Sequence, residues 1–67
     1  MIQVTVNGSA RRFERAVNVR ELLEELEMAG KKVAVERNGE IVPKGTHHQV
    51  LLENGDRLEI VVAVGGG

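Results

Sequence analysis

Arg57-Leu58-Glu59-Ile60-Val61-Val62-Ala63-Val64-Gly65-Gly66-Gly67 forms the last stretch of the sequence. Side chains alternate across an extended chain, so Leu58, Ile60 and Val62 fall on one face and Arg57, Glu59 and Val61 on the other. This is a strand, and Val61 breaks its alternation. Two explanations stand side by side: a central strand buried on both faces, or a contact with a partner beside the glycines. The glycines have no Cβ, so this tail can extend through a channel too narrow for other residues. Three ordered glycines also cost much chain entropy, so the fold gains nothing from them. The expectation is a compact body over residues 1–62 and a flexible glycine tail over 63–67 that carries a free backbone carboxylate. The plain alternative is a frayed terminus.

Working outward, Ile2, Val4 and Val6 alternate with Gln3 and Thr5 and make a matching strand at the other end of the chain. The two apolar triplets suit parallel pairing at the centre of a sheet, because the intervening chain is long enough for the crossover. Asn7-Gly8 is the favoured pair of a two-residue type I′ turn, so Ser9 to Arg15 returns as the second arm of a hairpin anchored by Phe13. Arg11, Arg12 and Arg15 lie on that arm. They read as the solvated face of an edge strand more readily than as a phosphate patch.

Asn18 opens a helix. Glu21 stands at capping-box spacing, and Val17 with Leu22 forms a hydrophobic staple. Val19, Leu22, Leu23 and Leu26 make one apolar stripe, opposite Glu21, Glu24, Glu25 and Glu27. In so short a chain the stripe is core and the acids are a solvated face. Gly30 is the expected left-handed terminator. Lys32 to Arg37 is a strand with Val33 and Val35 inward. Asn38-Gly39 is a second type I′ turn, Glu40 to Val42 returns, and Pro43 stops the pairing. Lys44 to Gln49 is a loop with room for one helical turn, and His47 and His48 are expected to be exposed there rather than metal ligands. Asn54-Gly55-Asp56 turns the chain into the last strand. The layout is α+β: a mixed sheet of about five strands with one helix across one face.

Composition narrows the function. A chain of 67 residues makes one small domain. It has no cysteine, hence no disulfide, no thiolate zinc site and no cysteine nucleophile. A net charge of −1 and a single aromatic residue, Phe13, argue against nucleic-acid binding. No apolar run approaches the roughly 20 residues that span a bilayer, and the first residues lack the pattern of a signal peptide. The expected location is the cytoplasm, with no membrane partner. Ser9, the sole serine, sits in a turn, and no glycine cluster joins a strand to a helix start as a phosphate loop would. No set of catalytic side chains is apparent, no metal site is expected, and the reading is a non-enzyme.

The segment Val35-Glu36-Arg37-Asn38-Gly39-Glu40-Ile41-Val42-Pro43, the run Asn54-Gly55-Asp56-Arg57-Leu58 and the closing glycines together resemble the ThiS family, the sulfur carrier proteins of thiamine biosynthesis. The resemblance covers the whole chain and implies a ubiquitin-like β-grasp fold. It implies that an E1-like adenylyltransferase of the ThiF type uses ATP to adenylate the carboxylate of Gly67, that a sulfur donor converts the adenylate to a thiocarboxylate, and that a thiazole synthase of the ThiG type accepts the sulfur. The carrier binds no cofactor itself. Gly65 and Gly66 would lie in the partner channel, Gly65 as an extra spacer. Partners are expected to grip the sheet face away from the helix through Val61, Ala63, Val64, Arg57 and Glu59, with Val42 and Leu51 as additions. Carriers for tRNA thiolation or molybdopterin synthesis, and a plain β-grasp interaction module, remain as alternatives.

Overall fold

A computed structural model describes residues 1–63. Its elements are β1 (Ile2–Val6), β2 (Ser9–Phe13), α1 (Val19–Glu25), β3 (Val33–Arg37), β4 (Glu40–Ile41), a 3₁₀ turn (Lys44–Thr46) and β5 (Arg57–Val62). The strands form one sheet in the order β2-β1-β5-β3-β4. β1 and β5 pair in parallel at the centre, with Thr5 opposite Arg57 and Val6 opposite Leu58. The other pairings of these strands are antiparallel. One helix covers one face of this mixed sheet, which is the ubiquitin-like β-grasp arrangement. No helix among the described residues is long and apolar enough to cross a membrane.

Local chemistry explains most of these elements. Asn7 (φ 49°) and Gly8 (φ 86°), and Asn38 (φ 52°) and Gly39 (φ 87°), take the two positive φ angles that a type I′ turn needs. At the helix start the Asn18 side chain accepts from the Glu21 amide at 2.7 Å, and Glu21 Oε1 accepts from the Asn18 amide at 2.9 Å. The box is reciprocal, as the spacing predicts. Two further amides of the first turn are satisfied from outside: Val19 donates to the Val50 carbonyl and Arg20 to that of His47. The core joins Val4 and Val6 of β1, Val19, Leu22 and Leu23 of α1, Val35 of β3, Leu52, and Leu58 and Ile60 of β5.

Several expectations are corrected. The helix does not end at Gly30. Glu27 takes the left-handed conformation at φ 59°, its amide donates to Glu24, and the Met28 amide donates to Leu23 at 2.7 Å. This is a Schellman closure with glutamate where glycine is usual, and Met28 packs back on the core. Gly30 (φ 87°) serves the following turn instead. Val62 is 39% exposed, so only Leu58 and Ile60 of the expected inward triplet are core. The core thins toward that end of β5, where its partner Val33 is also only half-buried.

His47 is buried and His48 is exposed. The His47 ring Nε2 lies 3.1 Å from the Val42 carbonyl, and its own carbonyl accepts from Arg20. This histidine ties the end of the β4 hairpin to the start of α1. A carbonyl can only accept, so Nε2 carries the proton.

Candidate functional site

β5 is the strand that precedes the glycines in the sequence. Two asparagines grip it from opposite flanks. Asn7 Oδ1 accepts from the Ile60 amide at 2.7 Å and its Nδ2 donates to the Ile60 carbonyl at 3.0 Å. Asn38 Oδ1 accepts from the Arg57 amide at 2.9 Å, while the Asn38 amide donates to the Arg57 carbonyl at 2.8 Å. Each asparagine therefore acts twice. It supplies the positive φ of its turn, and its side chain stands in for a neighbouring strand.

Asp56 locks the entry to β5. It is 7% exposed. Its Oδ2 accepts from Arg37 Nε at 2.8 Å and from the Glu53 amide at 2.8 Å, and its Oδ1 accepts from Asn38 Nδ2 at 3.1 Å. Burial pushes the Asp56 pKa upward. The hydrogen bonds from Glu53, Asn38 and Arg37, with the Arg37 charge, outweigh that push and hold it below the usual carboxylate value. In the sequence, Asn54-Gly55-Asp56 reads only as a turn. An Arg and an Asp nineteen positions apart carry no local signal.

The sheet face away from α1 is open. Directly paired residues share a face, so Arg57, Glu59 and Val61 lie there beside Thr5, Glu36 and Ala34 respectively. Ile41, paired with Glu36, extends this surface and is 63% exposed. Val61 is also 63% exposed. β5 is central in the sheet yet buried on one side only, so burial on both faces does not explain Val61. Glu36 and Glu59 stand directly opposite each other, an arrangement that costs stability.

The sequence-derived partner residues Arg57, Glu59, Val61 and Ala63 are therefore all exposed at or beside the open face. The Ala63 amide still donates to the Lys32 carbonyl at 2.8 Å, so the ladder runs one residue beyond Val62. Lys32, Val33, Ala34, Lys44, Val61 and Ala63 line a shallow, mostly apolar recess of about 470 Å³. Val64, Gly65, Gly66 and Gly67 lie outside the described residues. The two expected additions fail. Val42 is buried at 8% exposure, its amide tied to Val35. Leu51 is exposed, but it bridges Asn18 outside the five strands. Arg11 and Arg12 are exposed on the edge strand β2, and Arg12 donates to Gln3 at 3.0 Å. No group of three or more metal-ligating side chains occurs among the described residues.

A five-stranded mixed sheet with one helix across one face, its central strand ending beside an open apolar recess, defines the class of small ubiquitin-like β-grasp domains. The ThiS family pattern matches residues 4–67, and the chain belongs to that family. It is 48% identical over 66 residues to the thiazole synthase of Paramagnetospirillum magneticum, a match that covers 98% of this chain and 20% of that protein. The chain thus spans about a fifth of the length of the thiazole synthases it matches, a second being that of Magnetococcus marinus, 38% identical. It is 45% identical over 49 residues to the sulfur carrier protein ThiS of Bacillus subtilis, covering 73% of this chain and 74% of that one. The crystal structure of the thiamine biosynthesis protein ThiS from Geobacter metallireducens superposes with a TM-score of 0.82 at 33% identity, covering 98% of this chain and all of that one.

Proposed function

We propose that this chain is a sulfur carrier whose reactive group is the backbone carboxylate of Gly67. The observation that supports this most is the extent of the family match: it does not stop at the folded body but runs through Val64-Gly65-Gly66-Gly67. A carboxylate is a poor electrophile. Attack of its oxygen on the α-phosphorus of ATP, in a partner enzyme of the E1-like type, releases pyrophosphate and leaves an acyl-adenylate. A sulfur nucleophile at the sulfide oxidation level then adds to the carbonyl carbon and expels AMP, giving the thiocarboxylate. The sulfur stays tethered, which raises its effective concentration at the acceptor.

The acceptor favoured here is a thiazole synthase. Two proteins of that name contain a segment resembling this whole chain. Physical linkage of carrier and acceptor in one polypeptide keeps the tethered sulfur at high local concentration, and a separate chain would substitute surface docking for that linkage. The body's part is recognition: Arg57, Glu59, Val61 and Ala63 meet the partner while Gly65 and Gly66 pass through its channel. The test is intact-mass analysis of the chain after incubation with ATP, a ThiF-type enzyme and a sulfide source. Exchange of one oxygen for sulfur, localised to Gly67, is expected. Failure of the modification with an enzyme proven on its own carrier rejects the proposal.

A further inference from the structure

A second surface adjoins the recess at the root of the tail. One side of α1, the turn after it and the 3₁₀ segment with the two histidines that follow it line a cleft of about 280 Å³, whose walls include Arg20, Lys31, Lys44, His47 and His48. No carboxylate side chain lines it, although the chain has more acids than bases overall. Arg20 pairs with Glu24 on the helix at 3.5 Å. Neither Lys31 nor Lys44 takes part in an ion pair among the described residues. His47 has Nε2 committed to Val42, which leaves Nδ1 as the nitrogen available to the cleft. The open sheet face, by contrast, mixes Arg57 with Glu36 and Glu59.

Lys44 and Val33 line both this cleft and the apolar recess that includes Ala63. The two surfaces are therefore continuous. Four residues beyond Ala63 reach at most about 14 Å, so an enzyme that acts on Gly67 must bring its body against this region. We infer that the cleft is a docking site for an acidic segment of the enzyme that acts on the tail: carboxylate side chains of the partner enter between Lys31, Lys44 and Arg20 while the apolar recess is covered. This inference rests on the carrier reading above. It locates recognition on a surface that the open sheet face does not contain. Opposed charges of this kind speed encounter and orient the partner, and their effect fades with added salt.

The test compares the full-length chain with K31E/K44E and with R11E/R12E, which makes the same change of net charge on the distant edge strand. Affinity for the ThiF-type enzyme and for the thiazole synthase is measured by titration calorimetry, alongside thiocarboxylate formation. For at least one enzyme, K31E/K44E should weaken binding tenfold or more and raise KM with kcat nearly unchanged, while R11E/R12E stays within about threefold. Wild-type affinity should fall as salt rises from about 50 to about 300 mM, and that of K31E/K44E should barely change. Equal effects of the two double variants, or no effect of K31E/K44E on either enzyme, overturn the docking site whether or not sulfur is transferred. Salt-sensitive binding lost in K31E/K44E without any thiocarboxylate would keep the docking site and reject the carrier chemistry. Absence of wild-type binding to both enzymes overturns the docking site. Competition by inorganic phosphate or pyrophosphate alone, without enzyme binding at the cleft, would reassign it to a small anion.

Discussion

Replacing Asp56 by alanine should be the most damaging single polar substitution in this fold. The carboxylate is 7% exposed and accepts three hydrogen bonds, one of them from a charged guanidinium. Removing it strands the Glu53 amide and Asn38 Nδ2 and takes the short contact from Arg37. Loss of one partner of a fully buried pair costs about 3–5 kcal/mol. Arg37 is a quarter exposed and keeps Glu53 at 3.2 Å, but that acid is 80% exposed and offsets little. A cost of about 2–4 kcal/mol is expected, against a total of roughly 3–10 kcal/mol for a domain of this size. At roughly 4–8 °C per kcal/mol, a loss near the middle of that range lowers Tm by about 12–24 °C. Urea titration at pH 7 gives the free energy directly. The pH dependence adds a second check. The folded pKa of Asp56 lies below its unfolded value of about 3.9. Its contribution is therefore fully present above the unfolded value and disappears as pH falls through the folded one. The stability difference between wild type and D56A should narrow in that acid range. A loss below about 1 kcal/mol at pH 7, with an equal difference at low pH, would refute the claim that this buried network holds the entry to β5.

Other substitutions separate roles that coincide in one residue. Asn7→Gly keeps the positive φ of the turn but deletes the side-chain clamp on Ile60, so urea unfolding should show a loss of about 1–2 kcal/mol; an unchanged midpoint would mean that the clamp contributes nothing. Glu27→Gly relieves a left-handed residue at the helix end and should stabilise by about 1 kcal/mol, read as a higher Tm. Glu59→Lys removes the repulsion with Glu36 and should stabilise by about 0.5–1 kcal/mol. The same variant and Arg57→Glu should slow adenylation if partners use the open face, and unchanged rates would remove these two charges from the interface. An amide cap on Gly67 should abolish thiocarboxylate formation while the circular dichroism spectrum stays that of the folded chain.

Periodicity and turn chemistry, both local, were enough for the strands, the capped helix, both type I′ hairpins and the parallel pairing of β1 with β5. Alternation of Ile2, Val4 and Val6, and of Leu58 and Ile60, requires a sheet with one buried face, and a single apolar helix stripe has only that face to cover. The chemistry assigned to the glycines came from the family resemblance carried by residues 35–43, 54–58 and the tail. Composition contributed only exclusions, above all the lack of a cysteine or a serine-based catalytic set. What the tertiary structure alone decided depends on residues brought together from distant positions. His47 is buried because the Val42 carbonyl meets its ring, which no loop composition announces. Asp56 is held low by hydrogen bonds from the Glu53 amide, Asn38 and Arg37; the last two, like the clamps of both turn asparagines on β5, form only after the strands have paired. Glu27 rather than Gly30 closes the helix because Met28 packs back onto the core, and that gain outweighs a strained φ. Spacing along the chain is a property of the sequence; the environment that sets burial, charge state and continuity of surface exists only once the chain has closed on itself.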